Sequence, residues 1–181
     1  MKIQNTNIEG CFLIEPKIFR DSRGNFMETY NKRSFEKLLG EKLVFVQDNQ
    51  SVSSKHVLRG LHFQKGKYAQ AKLGRVVKGA ALDVVIDLRK ESPSFGEIFT
   101  TELSEFNNLQ IFIPKGLAHG FLALEDHTVF SYKCDAYYNP SAEGGIIYND
   151  PDLKIDWGIP ESKLILSDKD RALPAFKVVF P

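Results

Sequence analysis

Short strand-like runs rich in apolar residues, broken by turn-forming clusters, make up most of this chain. Such runs occur at residues 11–14, 17–19, 26–30, 43–46, 57–63, 72–77, 81–88, 98–103, 109–113, 119–124 and 128–136. In the clearest of them, Leu82, Val84, Ile86 and Leu88 occupy one face and Asp83 and Asp87 the other, the period of two that a strand imposes. Clusters such as Glu91-Ser92-Pro93-Ser94-Phe95-Gly96 and Ile113-Pro114-Lys115-Gly116 lie between the runs. Many short strands separated by turns predict an all-β sandwich or barrel. One segment, 31–40, reads as a helix: Ser34 is placed to cap it, Phe35, Leu38 and Leu39 recur at helical spacing, and Gly40 supplies a stop. Beyond Asn149-Asp150-Pro151 the tail is irregular, with a capped turn expected at Ser167-Asp168-Lys169-Asp170. Without an internal repeat or linker, residues 1–181 are expected to form one domain.

Charge narrows the range of functions. The 24 basic and 23 acidic side chains leave a formal charge of +1, which removes the general footprint of a nucleic-acid binder. No stretch of about 18 apolar residues is present, so no membrane-spanning helix is expected. The N-terminal residues lack the apolar block of a secretory signal, which makes the cytoplasm the expected location. Cys11 and Cys134 are far apart and lack metal-ligand spacing; they are expected to be reduced thiols packed as small apolar groups.

The candidate chemistry begins with four histidines, His56, His62, His119 and His127. A histidine in a strand is more often a hydrogen-bonded structural residue than a catalyst. His62 and His119 nevertheless stand in distinctive surroundings, Leu58-Arg59-Gly60-Leu61-His62-Phe63-Gln64 and Pro114-Lys115-Gly116-Leu117-Ala118-His119-Gly120. A neutral imidazole suits proton abstraction near neutral pH, particularly where a carboxylate orients its other nitrogen. Asp48, Asp83, Asp87 and Asp170 are the candidate carboxylates, and sequence spacing does not decide among them for His62. Lys72 and Arg59 are suited to holding phosphate or a developing enolate. Tyr132 offers a phenolic acid, although a strand tyrosine often serves only the core.

The Pro-x-Gly-x-x-His run resembles the second signature of the cupin superfamily, which are β-barrels of jelly-roll type. At the place of the first signature this chain has His62-Phe63-Gln64, so His62 and His119 alone remain as ligands, too few for a stable metal site. The resemblance therefore implies a cupin-type jelly-roll barrel with a few short helices and no metal.

A series of further runs, in order, resembles the dTDP-4-dehydrorhamnose 3,5-epimerase family. They are residues 19–28, Gln47-Asp48-Asn49-Gln50-Ser51, the His62 run, Gln70-Ala71-Lys72-Leu73, residues 83–89, Ser92-Pro93-Ser94-Phe95-Gly96, the His119 run, Tyr132-Lys133, Tyr137-Tyr138-Asn139-Pro140, Asp150-Pro151 and Leu166-Ser167-Asp168-Lys169-Asp170. The resemblance implies His62 as base with Asp170 as its partner, Tyr132 as acid on the opposite face, and Lys72 beside the substrate carbonyl. It implies substrate contacts at Arg23, Glu28, Gln47, Asp48, Asn49, Arg59, His119, Glu143 and Lys169, with Phe26 or Tyr138 stacking on thymine. Ser141-Ala142-Glu143-Gly144-Gly145 departs from the family's usual wording, as does His56-Val57. The implied activity is epimerisation of dTDP-4-dehydro-6-deoxy-D-glucose at carbons 3 and 5 to dTDP-4-dehydro-L-rhamnose, without a cofactor. A single-centre epimerase of a related dTDP-4-keto sugar and a non-catalytic sugar-nucleotide-binding cupin are the alternatives. A homodimer that exchanges N-terminal strands, with the C-terminal tail closing over the barrel, is also implied.

Overall fold

The structure, a computed structural model, describes residues 2–180. Its strands are β1 (Lys2–Asn5), β2 (Phe12–Glu15), β3 (Ile18–Asp21), β4 (Gly24–Met27), β5 (Gln47–Ser53), β6 (Leu58–Gln64), β7 (Lys72–Lys78), β8 (Ala80–Asp87), β9 (Ile98–Ser104), β10 (Gln110–Ile113), β11 (Leu117–Ala123), β12 (Thr128–Cys134) and β13 (Glu143–Gly145). The α-helices are α1 (Lys32–Leu39), α2 (Asp168–Arg171) and α3 (Phe176–Val179). Two antiparallel sheets form a cupin-like jelly-roll barrel. One has six strands in the order β1-β2-β10-β7-β12-β5, the other five in the order β13-β6-β11-β8-β9. The hairpin β3–β4 forms a separate two-stranded sheet.

Three apolar layers follow from the alternation. Between the sheets lie Leu13, Val76, Ala81, Val85, Ile111, Ile113, Phe121 and Phe130, with Phe121 and Phe130 stacked at 4.5 Å between ring centroids. The other face of the five-stranded sheet presents Leu58, Leu61, Val84, Ile86, Ala118 and Leu122, and the C-terminal tail covers it with Ile146, Tyr148, Trp157 and Leu164. Trp157 Nε1 donates to the Tyr148 carbonyl at 2.9 Å, so the buried indole carries no unmet donor. The other face of the six-stranded sheet, bearing Phe12, Ile14, Leu73 and Phe112, is closed by Phe35 of α1.

Two local expectations are corrected. The cap of α1 is Asn31, whose side chain accepts from the Ser34 amide, because the helix begins at Lys32 and places Ser34 inside its first turn. Gly40 closes the helix in the left-handed conformation at φ +76°. Residues 43–46, expected as a strand, are irregular. Leu43 and Phe45 are apolar because they pack in the α1 layer, and pairing starts only at the more polar β5.

The polar face of β8 points into the barrel. Asp83 and Asp87 are both fully buried. Asp87 accepts from Arg89 Nε and Nη2 at 2.8 and 2.7 Å, from the Arg89 amide, and from the Ser92 and Ser94 hydroxyls at 2.6 and 2.7 Å. Burial pushes its pKa up, but these bonds outweigh burial and bring it down to about 2.

At Gly60, φ is +105° and an added Cβ would lie 2.7 Å from the His119 carbonyl oxygen. Gly60→Ala is therefore expected to cost about 2 kcal/mol, seen as a lower urea midpoint at unchanged slope. Asp87→Asn is expected to cost about 2 kcal/mol at neutral pH. That contribution is complete above the unfolded carboxylate value near ~3.9 and is lost as pH falls through about 2. Wild-type and variant unfolding curves should therefore converge across that interval.

Candidate active site

On β6 the simple alternation is broken once. His119 pairs with His62 and Phe121 with Arg59, so three steps along β6 match two along β11, and the register shifts between them. This bulge puts an extra residue into β6 and re-aims the side chains beyond it. Leu58 and Leu61 both face the tail layer, which leaves Arg59 and His62, three residues apart, turned the other way. Gly60 and Gly120 allow the two backbones to approach: a Cβ at Gly120 would lie 2.8 Å from the Arg59 carbonyl oxygen.

His62 Nε2 lies 2.6 Å from Asp170 Oδ1. Asp170 is held from below by its own short helix, where the Ser167 hydroxyl accepts the Asp170 amide at 3.1 Å, and its Oδ2 accepts the Gly60 amide at 3.4 Å. Burial pushes the Asp170 carboxyl up, but the bond and field of His62, the Gly60 amide and the Ser167 side chain hold it below the ordinary range. An ionised Asp170 can only accept, which places the imidazole proton on Nε2 and leaves the Nδ1 lone pair free. At its edge His62 retains 30% side-chain exposure, so the ring is open to a ligand.

From the facing sheet come Lys72 on β7 and Tyr132 on β12. Lys72 Nζ lies 5.8 Å from the Tyr132 ring centroid. Desolvation pulls the Lys72 ammonium below its ordinary value, opposed by Cys134, Asp83 and Glu143. Desolvation also raises the Tyr132 phenol, reinforced by Cys134 and Glu143 and countered by Arg59. Asn49 pairs in register with Tyr132 and donates to Cys134 Sγ at 3.7 Å, while Gln47 donates to Asn49 Oδ1 at 3.0 Å. Arg59 is anchored by Ser53 Oγ at 3.1 Å.

A strap crosses one side of this cluster. Tyr138 Oη donates to Glu143 Oε2 at 2.7 Å, and Lys169 Nζ pairs with the same oxygen at 2.6 Å. Glu143 lies near enough to His62 to feel its charge. His119, 8% exposed, places Nε2 2.8 Å from Asp83 Oδ2.

Four of the expected contacts are not brought to this cluster within one copy. Asp48 alternates away from Gln47 and Asn49 and pairs with Lys133 at 2.8 Å, its side chain 69% exposed. The period of two explains it, since neighbours on a strand cannot share a face. Arg23 pairs with Asp21 at 2.6 Å on the hairpin. Glu28 accepts from Asn31 at 3.2 Å. Phe26 is 70% exposed and packs on Phe19. The link between Asp83 and His119 was not anticipated from the sequence. The signal available was a carboxylate in the same strand register as Ala81 and Val85, a face that the structure buries.

The chain matches the family model described as dTDP-4-dehydrorhamnose 3,5-epimerase over residues 5–178. The protein of that name from Salmonella typhimurium is 50% identical over 175 residues, covering 96% of this chain and 94% of its own. A crystal structure of dTDP-4-dehydrorhamnose 3,5-epimerase from Elizabethkingia anophelis superposes with a TM-score of 0.95 at 53% identity, covering 98% and 97% of the two chains. The Legionella pneumophila 3,5-epimerase, solved with dTDP-4-keto-L-rhamnose, gives 0.94 at 46% identity over 98% of this chain and 94% of that one. With the match running over nearly all of both chains, the protein belongs to the dTDP-4-dehydrorhamnose 3,5-epimerase family.

Proposed function

We propose that the protein inverts carbons 3 and 5 of dTDP-4-dehydro-6-deoxy-D-glucose, giving dTDP-4-dehydro-L-rhamnose. The observation that carries this reading is the carboxylate-held imidazole of His62 on one sheet, opposed by Tyr132 and Lys72 on the other. The C4 ketone acidifies the hydrogens on both neighbouring carbons. His62 Nδ1 takes the proton, and the C–H electron pair moves into the C4 oxygen as an enolate. Asp170 steadies the imidazolium that forms. The Lys72 ammonium donates to the enolate oxygen, a contribution of about 3 kcal/mol in comparable oxyanion sites. The enolate collapses back to the ketone as its carbon takes the Tyr132 proton on the opposite face, which inverts the centre. Solvent then reprotonates the phenolate and removes the proton from His62. The ketone is the electron sink throughout, so the residues present suffice for the proton transfers.

Substrate binding is assigned to the same barrel mouth. Arg59 and Lys169 supply positive charge for the diphosphate, Lys169 after leaving Glu143. Gln47, Asn49, His119 and Glu143 supply polar contacts for the sugar, and Tyr138 a face for thymine. The Legionella relative was solved with the 4-keto-L-rhamnose nucleotide, which supports this substrate class. With a nucleotide sugar as substrate, the cytoplasm is the location proposed for this work.

The hairpin β3–β4 is assigned to a second copy. Among the described residues its strands pair only with each other, and Phe19 and Phe26 stand 50% and 70% exposed. Docked on a partner's barrel, the hairpin would bring Arg23, Phe26 and Glu28 to a site that one copy leaves without them, and would bury both rings.

Three outcomes are expected. In deuterated buffer the wild-type protein incorporates label at both C3 and C5, as read by NMR; label at one carbon alone would make it a single-centre epimerase. His62→Asn abolishes incorporation at both carbons, whereas Tyr132→Phe keeps measurable incorporation and loses net inversion by 100-fold or more, the scale of a lost general acid at ~10²–10⁴. Light scattering gives a mass twice the 20.5 kDa of one chain, and Phe19→Asp with Phe26→Asp returns it to a single chain.

A further inference from the structure

Asp83 is a fully buried carboxylate of the barrel that the proposed proton transfers leave unused. Its side chain is fully buried, Oδ2 lies 2.8 Å from His119 Nε2, and Oδ1 has no hydrogen-bond partner among the described residues. An ionised carboxylate oxygen left unpartnered in a desolvated interior is costly unless a cation compensates it. Arg89, just beyond the end of β8, is committed to Asp87. The cation facing Asp83 from the opposite sheet is Lys72, which forms no ion pair of its own among the described residues.

We infer that Asp83 is a positioning residue with two roles, fixing the tautomer of His119 through Oδ2 and serving through its free oxygen as the counter-charge of Lys72. The inference rests on the reading that Lys72 acts on the enolate oxygen. Accepting the Nε2 proton of His119 leaves that ring's Nδ1 as an acceptor, the form suited to a substrate hydroxyl. His119 and His62 are direct partners across β11 and β6, so two imidazoles, each held by its own aspartate, stand side by side. The pairs differ in exposure: the His62 side chain is 30% exposed and its Asp170 6%, against 8% and 0% for His119 and Asp83. The open pair is placed to move a proton, and the closed pair to hold charge and orientation.

Lys72 is faced by Asp83 from β8, by Cys134 and Tyr132 from β12, and by Glu143 from β13. Asp83 is also faced by Cys11, a thiol that burial pushes up to about 12 and that therefore stays neutral. Glu143 is already shared between Lys169 and Tyr138. Asp83 Oδ1 is therefore the carboxylate oxygen of the set without a hydrogen-bond partner among the described residues.

The test substitutes Asp83→Asn and reads both Lys72 and turnover. Lysine side-chain ¹³C NMR, with the Lys72 signal assigned from Lys72→Arg, should show the ammonium about tenfold more acidic in Asp83→Asn, the low end of the ~1–3 pKa units that a neighbouring opposite charge supplies. The alkaline limb of the kcat profile should move to lower pH by the same amount. At neutral pH kcat should fall 10-fold or more with KM changed less than threefold, and Asp83→Glu should restore most of the alkaline limb. A Lys72 titration unchanged in Asp83→Asn overturns the counter-charge. Should Asp83→Asn not fold, histidine ¹⁵N spectra of the wild-type protein examine the tautomer role directly. Protonated Nε2 with a free Nδ1 on His119 is expected there, and the Nδ1–H tautomer overturns it. A wild-type protein without solvent exchange at either sugar carbon would sink the proposed activity, while the two NMR readouts would still decide the role of Asp83.

Discussion

A charged group survives inside a barrel only if something of opposite sign or a set of hydrogen bonds replaces the water it has lost, and this requirement organises the interior of the protein. His62 and Asp170, 108 residues apart, meet at 2.6 Å. Asp87 is met by a guanidinium and two hydroxyls, and Asp83 by an imidazole. Each pairing joins a strand of the five-stranded sheet to another segment, so the electrostatic pairings and the topology support one another. A barrel of this size lined only with apolar residues would be as easy to fold and would have no means of moving a proton.

The two sheets divide the work. The five-stranded sheet carries the imidazoles, and the six-stranded sheet carries the phenol and the ammonium. Between them, deeper in the barrel, the stacked Phe121 and Phe130 and their aliphatic neighbours hold the separation fixed. Inverting a carbon demands proton removal on one side of a ring and return on the other, and a sandwich with opposed inner faces meets that geometry with rigid elements. Strands hold such positions more tightly than loops do.

Much of the barrel was legible because strand alternation is a strong local signal. The faces of β8 were assigned correctly from period two alone. The segment 43–46 misled because packing under α1 produces the same apolar pattern as pairing. The bulge at Gly60 was invisible in the pattern: Arg59 and His62 stand three positions apart, and a regular strand would set them on opposite faces. The choice of Asp170 over three rival aspartates as the neighbour of His62 came from family resemblance, because a contact spanning more than half the chain leaves no periodic trace. Asp48 shows the converse, since its place between Gln47 and Asn49 on one strand already implies that it turns outward.

The C-terminal tail both covers the outer face of the five-stranded sheet and delivers Asp170 to His62. In chain order Asp170 follows every strand of the two sheets. A chain released early would expose Val84, Ile86 and Leu122 and would lack that aspartate at the same time. Truncation thus couples two losses, the cover of an apolar sheet face and the partner of His62.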